Sequence, residues 1–249
     1  MSQILSVVDF KTGWVGARVS YQIAAYSLPG LLTYPSNRPL PQVEEGLILK
    51  VNEEGCKPIR IPPDRLKASQ DLFLCALKLY NDAVQHQIIK PKHSDLYQLD
   101  LFENALSYPR VTSILKVLDE DGLRKWMLKQ AVSYTLKEMI RTKRTPEDVL
   151  NAFEADLFKP LEGALAHRDR RGGEGTDLHR LVRNYLCGLP VKLESESAWI
   201  QNVYPLFVQW ATAHRLSLVE KLSEQKVFSP EHQYAGTLDA VVSWEPEGA

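Results

Sequence analysis

At 249 residues and 44% apolar side chains, the chain can bury a substantial core as one large domain or two small ones. Its 30 basic and 31 acidic residues exclude nucleic-acid binding through bulk charge, so any such contact has to come from local patches. No apolar run reaches the ~18 residues of a membrane span, and the first residues lack a signal peptide's basic start and apolar core. A soluble, cytoplasmic protein with no membrane partner is expected.

In MSQILSVVDFKTG the residues alternate as a strand, with Leu5, Val7, Asp9 and Lys11 on one face and Ile4, Val8 and Phe10 on the other. An acid and a lysine therefore project side by side. Beyond Gly13 and Gly16, ARVSYQIAAYSL reads as a helix halted near Pro29. VEEGLILKV and KPIRI flank NEEG, a hairpin signal. The spacing of Leu66, Phe73, Leu77 and Tyr80 predicts a helix from Asp64 to about Gln85.

Residues 85–108 are of mixed polarity with no clear period and read as a linker between a 1–84 region and a 109–249 region. The latter opens with helical text: VTSILKVL, DGLRKWMLKQAVSYTLKEMI, and TPEDVLNAFEADLFKPLEGALAH with a break at Pro160. A glycine-rich turn, RRGGEG, leads into TDLHRLVRNYL, where Thr176 can cap the first turn and Leu178, Leu181, Val182, Tyr185 and Leu186 form one stripe. The helix SAWIQNVYPLFVQWATAH and the β-like text EQKVFSPEHQYAGTLDAVVSW follow. Two basic clusters, RTKR (Arg141, Lys143, Arg144) and HRDRR (Arg168, Arg170, Arg171), are either solvated helix ends and loops or phosphate contacts. Cys56, Cys75 and Cys187 form no CxxC pair and read as buried or idle thiols.

Three stretches carry chemistry when taken together: GTDLH at 175–179, YAGTLDAVV at 234–242 and VVDFKTG at 7–13. A phosphodiester hydrolase using a divalent cation needs hard oxygen ligands, which carboxylates on adjacent strands supply. It also needs a cation near the attacking water, and a lysine two residues after a ligand acid shares its face of the strand. Asp239 and Asp9 provide the acids, Lys11 the ammonium, and His179 an imidazole that favours Mn2+ somewhat over Mg2+. Singly, each has an ordinary reading: a chance triplet, a turn into a strand, a polar helix residue.

Read in the order 109–249 followed by 1–84, the chain resembles a RecB-type nuclease of the PD-(D/E)XK superfamily, particularly the phage-type and mitochondrial genome maintenance exonuclease-like branch. PRVTSIL at 109–115 is similar to that branch's opening motif, GTDLH to its histidine motif, and EQKVFSPEHQYAGTLD at 224–239 to its acid-bearing strand. VVDFKTG is similar to its acid-x-lysine strand, and YQIAAY at 21–26 to the QxxxY helix that follows. The resemblance implies an α/β fold, with a restriction-endonuclease-like mixed central sheet flanked by helices, circularly permuted, and an added helical region at about 109–170 beside the cleft.

By the same resemblance, His179, Asp239 and Asp9 bind Mg2+ or Mn2+ together with the Phe10 carbonyl, and Lys11 is catalytic. Gln22 and Tyr26 reach the DNA backbone or steady the lysine. Glu224 matches a family acid, or is a plain strand-end charge. The basic residues of RTKR and HRDRR become candidate phosphate contacts. The implied activity is hydrolysis of DNA, as an exonuclease on single-stranded or end-bearing substrates. A non-cleaving DNA-binding or assembly subunit and an RNA-directed nuclease are the alternatives. Relatives with an iron–sulfur cluster use four cysteines, so this chain, with three, is expected to lack one.

Overall fold

The alternation of the first residues becomes β1 (Ile4–Lys11), on which the sheet is organised. The computed structural model describes residues 3–13, 15–101, 104–118 and 173–246. The chain divides into two units, Met1–Leu118 with Asp177–Ala249, and Asp119–Thr176. The sheet and the site belong to the first. The expected helices within 119–170, and with them Arg141, Lys143, Arg144, Arg168, Arg170 and Arg171, lie outside the described residues.

Six strands form a mixed sheet. Besides β1 they are β2 (Leu32–Thr33), β3 (Glu45–Asn52), β4 (Gly55–Ile61), β7 (Ser217–Ser229) and β8 (Tyr234–Trp244), in the order β2-β7-β8-β1-β3-β4. β1 runs parallel to β3 and antiparallel to β8, with Ile4 opposite Trp244 and Val8 opposite Ala240. The two ends of the numbering thus meet in the middle of the sheet.

Helices cover both faces. On one lie α1 (Ala17–Tyr26), α2 (Pro63–Gln85) and α3 (Val111–Ile114, continued as a 3-10 turn over Leu115–Leu118), packed on Val7, Ile48 and Val241. On the other lie α4 (residues 173–186) and α5 (Ala198–Ala213), packed on Val8, Phe10 and Leu49. Val7 and Val8 are each almost fully buried, in opposite cores. Burying a valine is worth on the order of 1.5–3 kcal/mol, and a one-residue slip of β1 would exchange the two faces. The same slip would drive Asp9 and Lys11 into the α4–α5 core, so the apolar pattern fixes where the acid and the lysine point. Glycine lets α1 come close: a Cβ on Gly46, opposite Val7, would stand 2.6 Å from Ile23.

The expected linker is not one. Residues 85–108 contain most of a hairpin, β5 (Leu96–Leu101) and β6 (Asn104–Pro109), paired from Leu96↔Pro109 to Leu101↔Asn104. Its period is weak in the sequence because, among the described residues of the two strands, Leu99 alone is buried. Leu99 is buried against Phe228 and Ala235, whereas Gln98 and Ser107 bond to each other in solvent. The glycine-rich turn expected before α4 is also revised, since residues 173–175 are already helical and Thr176 lies inside the helix, not at its cap. Packing of Leu178, Leu181 and Val182 holds this segment against the low helix propensity of its glycines.

Candidate active site

Asp9 is 4% exposed near the end of β1. Lys11, on the same face, places Nζ 3.0 Å from Oδ1 and 2.9 Å from Oδ2. Even so, burial pushes the Asp9 carboxyl up to about 7; the ammonium of Lys11 opposes this and the neighbouring Asp239 adds to it. Oδ2 accepts no well-directed hydrogen bond although the ammonium is in reach. A buried acceptor without a directed hydrogen bond costs free energy.

Asp239 comes from β8, just beyond the last residue of that strand paired with β1. The Phe10 backbone N–H donates to its Oδ2 at 3.0 Å. Burial raises Asp239 as well, with the Phe10 amide and Asp9 acting the other way. His179 enters from α4, where Leu178 and Val182 anchor the helix. Its Nε2 lies 2.7 Å from the Phe10 carbonyl and its Nδ1 3.7 Å from Asp239 Oδ2. Burial holds the imidazole below its ordinary pKa, and neutral imidazole is the form that binds metals. The Phe10 backbone is therefore held at both ends, by Asp239 at its amide and His179 at its carbonyl.

Glu224 reaches the same place through a bulge. Ser223 pairs with Ala240 and Gln225 with Leu238, which puts Glu224 level with Asp239. Upstream, residues 219–222 of β7 face only Val241 of β8, and Glu220, Lys221 and Glu224 have φ of 48°, 61° and 50°. Left-handed backbone costs a non-glycine residue about 1–2 kcal/mol, and strain of this kind gathers where a side chain must be re-aimed. Ligand atoms of His179, Glu224 and Asp239 all lie within 4.8 Å of one another. The chain has no glycine at these left-handed positions, so nothing in the text announces the bulge.

Tyr26 is not at the surface. It is 4% exposed and lies on Gly236, where a Cβ would stand 2.5 Å from the tyrosine ring and hydroxyl. The backbone N–H of Thr237 donates to its oxygen, and burial, with Asp239 nearby, pushes the hydroxyl far above its ordinary pKa. Its contact is thus with the acid-bearing strand, while Gln22, one turn earlier, is half-buried. Thr237 also bonds through its hydroxyl to Tyr97 of β5, a residue that the linker reading passed over.

The donors fit a divalent cation. Carboxylates of Asp9, Glu224 and Asp239 with a neutral imidazole make an oxygen-rich set, in which Asp9 and Asp239 are raised by burial and Glu224 is exposed. Cys56, Cys75 and Cys187 are free thiols. Among the described residues no helix is long and apolar enough to cross a membrane. No family model, curated protein or solved structure matches the chain.

Proposed function

We propose that the protein is a metal-dependent DNA nuclease that hydrolyses phosphodiester bonds, acting as an exonuclease on single-stranded or end-bearing DNA. Its sheet, on this reading, is a circularly permuted restriction-endonuclease-like core of the RecB type in the PD-(D/E)XK superfamily. The observation that carries the reading is the convergence of Asp9, Lys11, His179, Glu224 and Asp239, brought together from β1, α4, β7 and β8. The pairing of Ile4 with Trp244 supports the permutation, because β8 and β1 lie as the two arms of a hairpin would.

Asp9, Asp239, Glu224 and His179, with the Phe10 carbonyl, would hold Mg2+ or Mn2+. When bound, the cation would supply Lewis acidity toward a phosphoryl oxygen and relieve repulsion among the carboxylates. Lys11, fixed by Asp9, orients the attacking water and offsets the charge that grows on the phosphoryl oxygens in the transition state. The Phe10 amide keeps Asp239 turned toward Asp9. End-labelled single- and double-stranded DNA and RNA, incubated with Mg2+ or Mn2+, provide the test. Metal-dependent release of short products from DNA, lost in Lys11→Ala, is the expected result. Wild-type protein inert on every substrate, or cleavage indifferent to Lys11→Ala, would overturn the reading.

A further inference from the structure

β8 is held differently on the two sides of Asp239. From Ala240 to Trp244 it has the backbone ladder of β1 on one edge; before Asp239 that ladder has ended. The gap is filled by tyrosines at Thr237. Tyr26, which packs with Tyr234 and Leu238, takes the Thr237 backbone N–H. Tyr97, which packs with Ala235 and so stands on the opposite face of the strand, bonds the Thr237 hydroxyl. Tyr97 is itself fixed: the Arg110 guanidinium lies 4.4 Å from its ring centroid while Arg110 Nε donates to the Leu96 carbonyl at 3.2 Å. Leu99, 1% exposed, pins the hairpin to the sheet.

We infer that Tyr97 is a positioning residue for the metal centre, acting through Thr237 to set the direction of Asp239. This rests on the reading of Asp239 as a metal ligand. A threonine side chain has few χ1 choices, so a bond to its hydroxyl constrains the backbone that carries it. Two residues along a strand return to the same face, which makes Thr237 a direct lever on Asp239. The hairpin between α2 and α3 is then part of the catalytic apparatus without touching substrate.

The experiment compares wild type with Tyr97→Phe, Thr237→Val, Thr237→Ser and the Tyr97→Phe/Thr237→Val double variant. Tyr97→Phe keeps the ring, its Arg110 contact and the hairpin packing, and removes only the hydroxyl. Two readouts are taken: the Mn2+ concentration that gives half of the maximal thermal stabilisation, and kcat and KM for DNA. Tyr97→Phe and Thr237→Val should each raise the Mn2+ midpoint about 10-fold and lower kcat to a similar degree, with KM little changed. The double variant should be no worse than either single one, and Thr237→Ser should stay close to wild type. A Tyr97→Phe protein with the wild-type Mn2+ midpoint and kcat would overturn the inference, and so would fully additive losses in the double variant. Wild-type protein that Mn2+ does not stabilise would instead remove the metal centre itself, a failure visible before any variant is made.

Discussion

Two acids are buried in neighbouring strands of one sheet and are treated in opposite ways. Glu45, opposite Ser6 at the start of β3, is 2% exposed and takes the Arg60 guanidinium through Nε at 3.0 Å and Nη2 at 2.7 Å. Asp9, three residues along β1, has one ammonium, an Oδ2 without a well-directed hydrogen bond and a second carboxyl, Asp239, beside it. A two-pronged cation closes the first acid within the fold. The second belongs to a group of three carboxylates and one ammonium, formally −2 with His179 neutral, which is the charge that one divalent cation cancels. On the proposed function, burial alone does not distinguish the structural acid from the working one; the completeness of its partners does.

The sharpest way to break the comparison is at the working end. Lys11→Ala and Asp239→Ala should each lower single-turnover DNA cleavage by about 10^3-fold or more while leaving a folded protein. Arg60→Ala attacks the structural end. It should cost about 2–3 kcal/mol in urea unfolding, below the full cost of a stranded buried charge because the Arg60 side chain is already half exposed, and leave cleavage per folded molecule unchanged. Gly236→Ala tests the packing of Tyr26 on the Asp239 strand: with a Cβ 2.5 Å from Tyr26, it should cost about 1–2 kcal/mol and lower activity.

A pH series in EDTA separates the acids without substrate. Asp9 titrates near 7 when folded, against an ordinary aspartate value of 3.8. Between those limits the folded state holds more protons at Asp9 than the unfolded one, so this group's contribution to stability is fully present below about 4 and is lost as pH rises through 7. Mn2+ should oppose the fall, and Asp9→Asn should flatten it; thermal melts across the range measure both. The smallest effect belongs to a pair that is neither buried nor catalytic. Lys67→Ala, which removes the exposed 3.3 Å contact to Asp71, should change stability by less than about 0.5 kcal/mol.

Much of the sheet was readable because its apolar residues keep strict period. Val7 and Val8 go to opposite cores as their alternation requires, and the acid and lysine follow on the Val7 side. NEEG closes β3 and β4 at Asn52↔Gly55. The hairpin escaped because its cohesion is aromatic and one-sided: Tyr97, Tyr108 and the buried Leu99 are spread among polar neighbours that a period search counts as noise. Asp9, Lys11, Asp239 and His179 were nameable from motifs. The position of Glu224 depends on left-handed backbone in β7, and the burial of Tyr26 on a glycine of β8 far away in the sequence. Both are tertiary facts with no local pattern.

The register of β1 against β8 also has a mechanical consequence. Ile4 and Trp244 are partners, so a force drawn between them loads the ladder from one end. Antiparallel strands pulled this way part like a zipper, pair after pair, instead of resisting together in shear, because their hydrogen bonds lie across the strands. The tear would run from Ile4↔Trp244 through Ser6↔Val242 to Val8↔Ala240 and arrive last at Asp9 and Asp239. Tension applied at these two residues would thereby open the ladder in order, with the two acids last to part.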